Sequence, residues 1–280
     1  MDFPTFLQRH GRSQTTIDTY CGHIGRFYAW CEETFGEKPS ELYRSNVLEF
    51  QSHLLQNRKL NPATVNVYMS ALAQYNAYGI ETGQQTEQAV QKQDYIKIQS
   101  PYVNPWDGEE REIDRLRQAI LAQKKKHSKR DYALITVMAY GGLRVSEAVG
   151  LQLDDVFLGT HEMLVRNGKG EKARTITMND KIVQAIRAYL VVRPNTHPTP
   201  YLFVSQKGER LRRGRVNQIC RDYSTTVHPH MLRHFFCTKS QSVGYDLYET
   251  AQQAGHKDPR TTMRYAHPSK KAMLEKANRM

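Results

Sequence analysis

The sequence predicts a mainly α-helical protein of two domains, with a small antiparallel β-sheet in the second. Three observations carry this expectation. Apolar residues recur every three or four positions through most of the first hundred residues, which is the period of one helix face. The stretch QSPYVNPWDGEE then breaks the pattern with Pro101, Pro105 and Gly108, at the point where the charge balance changes. Beyond it, only HEMLVRNGKGEKARTITM reads clearly as strands, with two β-rich runs flanking Asn167, Gly168 and Gly170.

In the first domain, placed at residues 1–104, SQTTIDTYCGHIGRFYAWCEETF aligns Ile17, Tyr20, Ile24, Phe27, Cys31 and Phe35 on one helix face. SELYRSNVLEFQSHLLQ repeats the pattern with Leu42, Val47, Phe50 and Leu54. NPATVNVYMSALAQYNAYG opens with Asn61 as N-cap and Pro62 at the first helical position, where a missing N–H costs nothing, and Gly79 is its expected end. The Gln-rich run ETGQQTEQAVQKQDY fits either a fourth helix or irregular chain. In the second domain, 105–280, helices are expected over about 109–126 and 128–140, then through LRVSEAVGL after Gly141-Gly142. The hairpin follows, with Lys169 at its tip. Further helices are expected in HPHMLRHFFCTKSQSVG between Pro229 and Gly244, in DLYETAQQAGH, and in RTTMRYAH.

With 280 residues, 39% of them hydrophobic, the chain can bury substantial cores. It holds 40 Lys and Arg against 28 Asp and Glu, a formal charge of +12. Residues 1–108 contain 9 basic and 11 acidic side chains, whereas 109–280 contain 31 and 17, so the positive field belongs to the second domain. Such a field suits a polyanion, because each neutralised phosphate releases counterions. A soluble basic surface accounts for charge alone equally well. No stretch approaches the roughly 18 apolar residues of a membrane span, and the N-terminus lacks a signal-peptide pattern, so no membrane partner and a cytoplasmic location are expected. Cys21, Cys31, Cys220 and Cys237 form no CxxC pair and read as reduced packing residues. His228, His230 and His234 crowd together in HPHMLRH, but no Cys or carboxylate stands at ligand spacing beside them. No metal and no cofactor are expected.

Four short stretches concentrate chemistry. In GGLRVSEAVGL, Arg144 stands at a helix start with Glu147 one turn on; a guanidinium there can take two phosphate oxygens, or simply pair with Glu147. In HPHMLRH, His230 and Arg233 are three apart and share a helix face, while Leu232 and Phe236 point to the core. That places a proton carrier beside a fixed positive charge, although a core-edge His and a surface Arg would look the same. His228 and His234 read as bystanders. AQQAGH ends on a helix-terminating Gly255 that projects His256 at a turn, for chemistry or for capping. Tyr265, nine residues after His256, is one of 16 tyrosines and taken alone reads as packing.

Together these stretches resemble the tyrosine recombinase (phage integrase) family across the second domain. The family pattern is an Arg in a GLR-x-SE context, a Lys in a hairpin GKG, an H-x-L-R-H box, a GH pair, and a Tyr about nine residues later. Arg144, Lys169, His230 with Arg233, His256 and Tyr265 fill those places in order. Ala254 before Gly255, and Phe235-Phe236 after the box, depart from the usual Leu and Thr-Phe or Ser-Phe, without removing a reacting group. The helical first domain is similar in length and pattern to the family's core-binding domain.

The resemblance implies that Tyr265 attacks a DNA phosphodiester to form a 3′-phosphotyrosyl link. Arg144, Arg233 and His256 would hold the non-bridging oxygens, Lys169 would protonate the leaving 5′-oxygen, and His230 would handle the Tyr265 proton. Glu147 and Asp155 would orient Arg or His, or serve structure alone. No GxxxxGK[ST] loop and no acidic pair for Mg²⁺ are evident, in keeping with chemistry that stores the phosphodiester covalently. The implied partner is double-stranded DNA with paired half-sites, gripped by a homotetramer that passes through a Holliday junction, with accessory protomers or proteins as possible additions. The tail AHPSKKAMLEKANRM, with Met273, Leu274 and Ala277, would dock on a neighbouring protomer. The chain opens almost directly on the core-binding pattern, so an extra N-terminal arm-binding domain is not expected. Its compact size is similar to that of Xer-type resolvases, integron-like enzymes and transposon-borne resolution recombinases, and its length and opening resemble the TnpI type of the last; the implied task is resolving cointegrates or dimers, or integrating or excising a mobile element. A type IB topoisomerase-like enzyme and a non-catalytic DNA-binding relative are the alternatives.

Overall fold

The computed structural model describes residues 1–98, 109–166, 173–195, 198–256, 262 and 278. The chain divides into two compact units, Met1–Pro101 and Tyr102–Met280. The first contains helices α1 (Phe3–Arg9), α2 (Gln14–Phe35), α3 (Arg44–Ser52) and α4 (Pro62–Glu81). Three of these start where a side chain accepts an otherwise orphaned backbone N–H: Asp2 from Thr5, Ser13 from Thr16, and Asn61 from Thr64. The core they enclose is aromatic, with Phe27, Trp30 and Phe50 in mutual ring contact and Tyr68 against Phe50.

The short α1, which periodicity does not reveal, buries Phe3, Phe6 and Leu7. Along α2 the apolar face ends a turn earlier than expected: Phe35 is 45% exposed, and Trp30 is buried in the core instead. After α3, one π-turn over His53–Asn57 keeps Leu54 inward. Gly79 does not end α4, which continues to Glu81. A Cβ at Gly79 would lie 3.1 Å from that of Gln85, so the missing side chain admits the returning strand of chain.

Among the described residues, the Gln-rich run forms no α-helix, only a 3₁₀ turn at Lys92–Asp94. Its backbone is satisfied by side chains instead. Gln85 exchanges two bonds with the Leu42 backbone, and the Asn76 amide oxygen accepts from Ala89 and Val90. Side-chain bonds to backbone remote in sequence take the place of the helix here.

The second unit contains α5 (Glu109–Ala122), α6 (Ser128–Gly141), α7 (Val145–Ala148), strands β1 (Val156–Phe157), β2 (Glu162–Val165) and β3 (Arg174–Thr177), then α8 (Asp180–Leu190), α9 (Arg213–Tyr223), α10 (Pro229–Ser242) and α11 (Leu247–Ala254). α6 is the central helix, with Ala133 to Ala139 all buried, and it packs against α5, α8 and α10. The sheet runs β1-β2-β3 and is antiparallel throughout, with Met163 opposite Ile176 and Val165 opposite Arg174. β1, α8 and α9 lie outside what the apolar spacing indicated. α8 nonetheless has a clear start, where Asn179 accepts the Ile182 N–H at 3.0 Å. α10 begins at Pro229 and ends two residues before Gly244, whose φ is +108°. Among the described residues, no helix is long and apolar enough to cross a membrane.

Candidate functional site

α6 terminates on a glycine pair because the chain must turn against the face of Phe236 on α10. Gly142 has φ +69°, and a Cβ there would stand 2.4 Å from the Phe236 ring. The turn aims the Gly142 carbonyl at Arg233, whose Nη1 donates to it at 2.6 Å. Two residues later Arg144 is the N-cap of α7. Glu147, one turn on, accepts the Arg144 backbone N–H at 2.8 Å and the Arg144 Nη1 at 2.8 Å. The other end of the guanidinium donates from Nη2 to the carbonyl of Gly255 at 2.8 Å. A helix of four residues has little macrodipole, so the positive field of this corner comes from the guanidiniums rather than from the helix end.

Arg233 is 7% exposed. Burial, together with the neighbouring Arg144, lowers its pKa to about 10, so it remains a cation at neutral pH. A buried cation of this kind is costly unless something anionic faces it. His256 follows the α11 terminator Gly255, which has φ +71° and whose added Cβ would meet the Arg174 guanidinium at 2.5 Å. Its Nδ1 lies 2.7 Å from the Thr262 hydroxyl. Burial first, then Arg233, Arg144 and Arg174, push the His256 pKa down to about 4, leaving a neutral imidazole at pH 7.

A cavity of about 390 Å³ opens between α7, α9 and α10, with Arg144, Arg233, His230, His228, Arg213 and Asn217 in its lining. Among the described residues, three arginines and no carboxylate line it, which suits a dianion or a phosphodiester approached from solvent. Of the residues expected from sequence, the fold brings Arg144, His230 and Arg233 to this one cavity. His256 adjoins it through the Arg144 to Gly255 bond. Lys169 and Tyr265 lie outside the described residues, as does the tail with Met273, Leu274 and Ala277.

His228, read as a bystander, lines the cavity, whereas His234 does not. Of the two roles open to Asp155, its described bonds are those of a structural residue and reach neither Arg144 nor a histidine. Asp155 accepts from Arg166 Nε at 2.5 Å and from the Gln152 N–H at 2.9 Å, fastening the turn before the sheet. Three residues were missed. Arg213 and Asn217 sit one turn apart on α9, and the dense run RLRRGR was the available signal for that helix start. Arg174 pairs with both Glu147 oxygens at 3.0 Å, and nothing in a chain with 40 basic side chains marks it out. Among the described residues, no group of three or more His, Cys, Asp or Glu could hold a metal ion.

The model of the phage integrase family matches residues 109–272, and that of the phage integrase N-terminal SAM-like domain matches residues 2–83. The chain is 37% identical over 277 residues to the TnP I resolvase of Bacillus thuringiensis, covering 98% of this chain and 96% of that one. It is 30% identical over 286 residues to the tyrosine recombinase XerA of Pyrococcus furiosus, covering 99% and 92%. Among solved structures, the Tn1549 transposon integrase in complex with a circular intermediate DNA is similar with a TM-score of 0.72 at 20% identity, covering 99% of this chain and 97% of that one. The XerH site-specific recombinase bound to its palindromic difH substrate gives 0.69 at 23%, covering 94% and 79%. These two likenesses establish the fold, and the sequence matches establish kinship: the chain belongs to the phage integrase family of site-specific tyrosine recombinases.

Proposed function

We propose that this protein recombines DNA by seating the scissile phosphate in the Arg144, Arg233 and His230 cavity while Tyr265 attacks it, and that its task is resolution of cointegrates or dimers. The convergence of Arg144 and Arg233, 89 positions apart in sequence, on one cavity with no carboxylate among its described lining residues is the observation that carries the chemistry. The full-length similarity to a resolvase supports the task.

The Tyr265 oxygen forms a bond to phosphorus, the bond from phosphorus to the 5′-oxygen breaks, and the product is a 3′-phosphotyrosyl link with a free 5′-hydroxyl. A phenol has a pKa of about 10, so its proton must leave as it attacks; His230 accepts it. Lys169 supplies the proton that the 5′-oxygen takes up. Arg144 and Arg233 face the non-bridging oxygens, whose charge grows in the pentavalent transition state, and forked guanidiniums meet two oxygens at once. In the tautomer whose Nδ1 accepts from the Thr262 hydroxyl, the neutral His256 carries its proton on Nε2 and donates a hydrogen bond rather than a charge. One phosphodiester is exchanged for another bond of similar energy, so ATP is not consumed.

Two duplexes, each with paired half-sites, require four protomers, which exchange strands in pairs through a Holliday junction. The apolar stripe Met273, Leu274 and Ala277 docks each tail on its neighbour, and head-to-tail contacts of that sort close into a ring. A cytoplasmic enzyme working on bacterial DNA fits this assembly. The test is a supercoiled plasmid carrying two directly repeated copies of the flanking-DNA site, incubated with protein and EDTA. Two smaller circles, absent with Tyr265→Phe, are expected. Relaxation without exchange would instead indicate topoisomerase-like action.

A further inference from the structure

The Arg144 guanidinium is aimed by Glu147, but Glu147 is itself held from elsewhere. Arg174, the first residue of β3, donates Nη1 to Glu147 Oε1 and Nη2 to Oε2, both at 3.0 Å, in the parallel fork that fixes a carboxylate in both position and plane. The side chains are 10% and 6% exposed, so the pair is shielded from water and from salt. Each Glu147 oxygen then accepts a second bond from Arg144, one from its backbone N–H and one from Nη1. The rest of Arg174 faces α11. Its Nε donates to the Gln253 carbonyl at 3.0 Å, and its guanidinium occupies the space that a side chain at position 255 would need. Arg144 reaches the same turn through the Gly255 carbonyl. β3, α7 and the Gly255-His256 turn are therefore joined in one closed ring of bonds, with Arg174 as the member common to the sheet and to both helical ends.

We infer that Arg174 is a positioning residue for recombination: it fixes the Glu147 carboxylate that aims Arg144 and seats the turn that presents His256, acting through them and not on the leaving group. The inference rests on reading the Arg144 cavity as the phosphate clamp. Arg174 is not among the residues lining that cavity. Its contribution to the carboxylate is electrostatic as well as geometric: burial, the largest single influence, raises the Glu147 pKa, and the bonds and charge of Arg174 together with those of Arg144 bring it below its ordinary value. Lysine cannot replace it, since one ammonium cannot span both carboxylate oxygens and also reach the Gln253 carbonyl. The sheet does not depend on it for docking, because the Gln253 amide separately bonds the backbone N–H and carbonyl of Thr177 at 3.2 and 2.8 Å. Substitution at 174 should therefore leave a folded protein.

The experiment uses the full chain on duplexes bearing the recombination site, with either an ordinary phosphodiester or a 5′-phosphorothiolate, whose leaving group needs no proton. Wild type, Tyr265→Phe, Lys169→Ala, Glu147→Gln, Arg174→Lys and the double variant Glu147→Gln with Arg174→Lys are compared for covalent adduct, DNA binding and thermal midpoint. Arg174→Lys should form adduct about 100-fold more slowly, the usual cost of misplacing a reacting group by an ångström. Its DNA binding and melting should stay close to wild type. The phosphorothiolate should restore Lys169→Ala but not Arg174→Lys, and the double variant should be no slower than its slower parent. Near-normal adduct formation by Arg174→Lys overturns the inference. So does rescue of that variant by the phosphorothiolate, which would place its effect on the leaving group, and so does loss of folding in step with activity. A wild type that forms no adduct overturns the functional reading and this inference together; an active wild type beside an active Arg174→Lys overturns this inference alone.

Discussion

The two units bury different things. Among the described residues of the first, the buried side chains are almost all apolar and aromatic, with Asp94 the one buried charge, neutralised by Arg44 at 2.8 Å. The second also has an apolar core, but it encloses Arg117, Arg130, Asp131, Glu147, Asp155 and Arg233. Apolar burial is non-directional and tolerates small shifts. Buried charges tolerate little, because each must meet its partner or pay several kcal/mol of desolvation. The first unit is thus built for stability, and the second fixes charged groups at set positions, which is what a phosphate clamp demands.

This contrast can be broken most directly at the clamp. Arg233→Lys or Arg144→Lys should reduce adduct formation on core-site DNA by about 100- to 1000-fold, the cost of removing one preorganised donor to a developing oxyanion. Binding in a gel-shift assay should change little; near-normal cleavage by both variants would sink the clamp. Phe27→Ala in the first unit should do the opposite. It should cost about 3–5 kcal/mol in denaturant unfolding, because Phe27 is fully buried, while leaving cleavage per folded molecule intact.

Gly142→Ala should show both effects at once. The positive φ and the overlap with Phe236 predict about 1–3 kcal/mol of destabilisation together with slowed cleavage, because the carbonyl that holds Arg233 must move. Unfolding and adduct assays on the same preparation check this, and a change in stability alone would separate the turn from the site. The smallest effect concerns pH. His256 has a folded pKa of about 4 against about 6.5 when unfolded, so the unfolded chain binds the proton first. Its stability contribution is intact above about 6.5 and declines as pH falls toward 4, so the wild-type melting point should drop across that window more than that of His256→Asn. Equal slopes would mean that the imidazole is not held neutral.

Much of the fold was legible because its causes are local. Asn61 with Pro62, the face of Val47, Phe50 and Leu54, and the paired runs around Asn167 each act within a turn or a strand pair. α1, of seven residues, escaped because in so short a helix packing matters more than spacing; α8 and α9 are no shorter than helices that were legible, and escaped although Asn179 and the run RLRRGR marked their starts. The Gln-rich segment misled because its order comes from Asn76 and Gln85 bonding to distant backbone. At the site, Arg144, His230, Arg233 and His256 could be chosen for their setting, whereas Arg174 could not, since its meaning lies entirely in what it touches.

The sequence by itself determined the helical periods, the caps, the paired strands and the short motifs from which the candidate site residues were chosen, all written in neighbours a few positions apart. Only the tertiary structure decided that Arg233 donates to a carbonyl 91 positions away and Arg144 to one 111 away. Such pairings depend on how whole helices pack, and a one-dimensional pattern has no term for it.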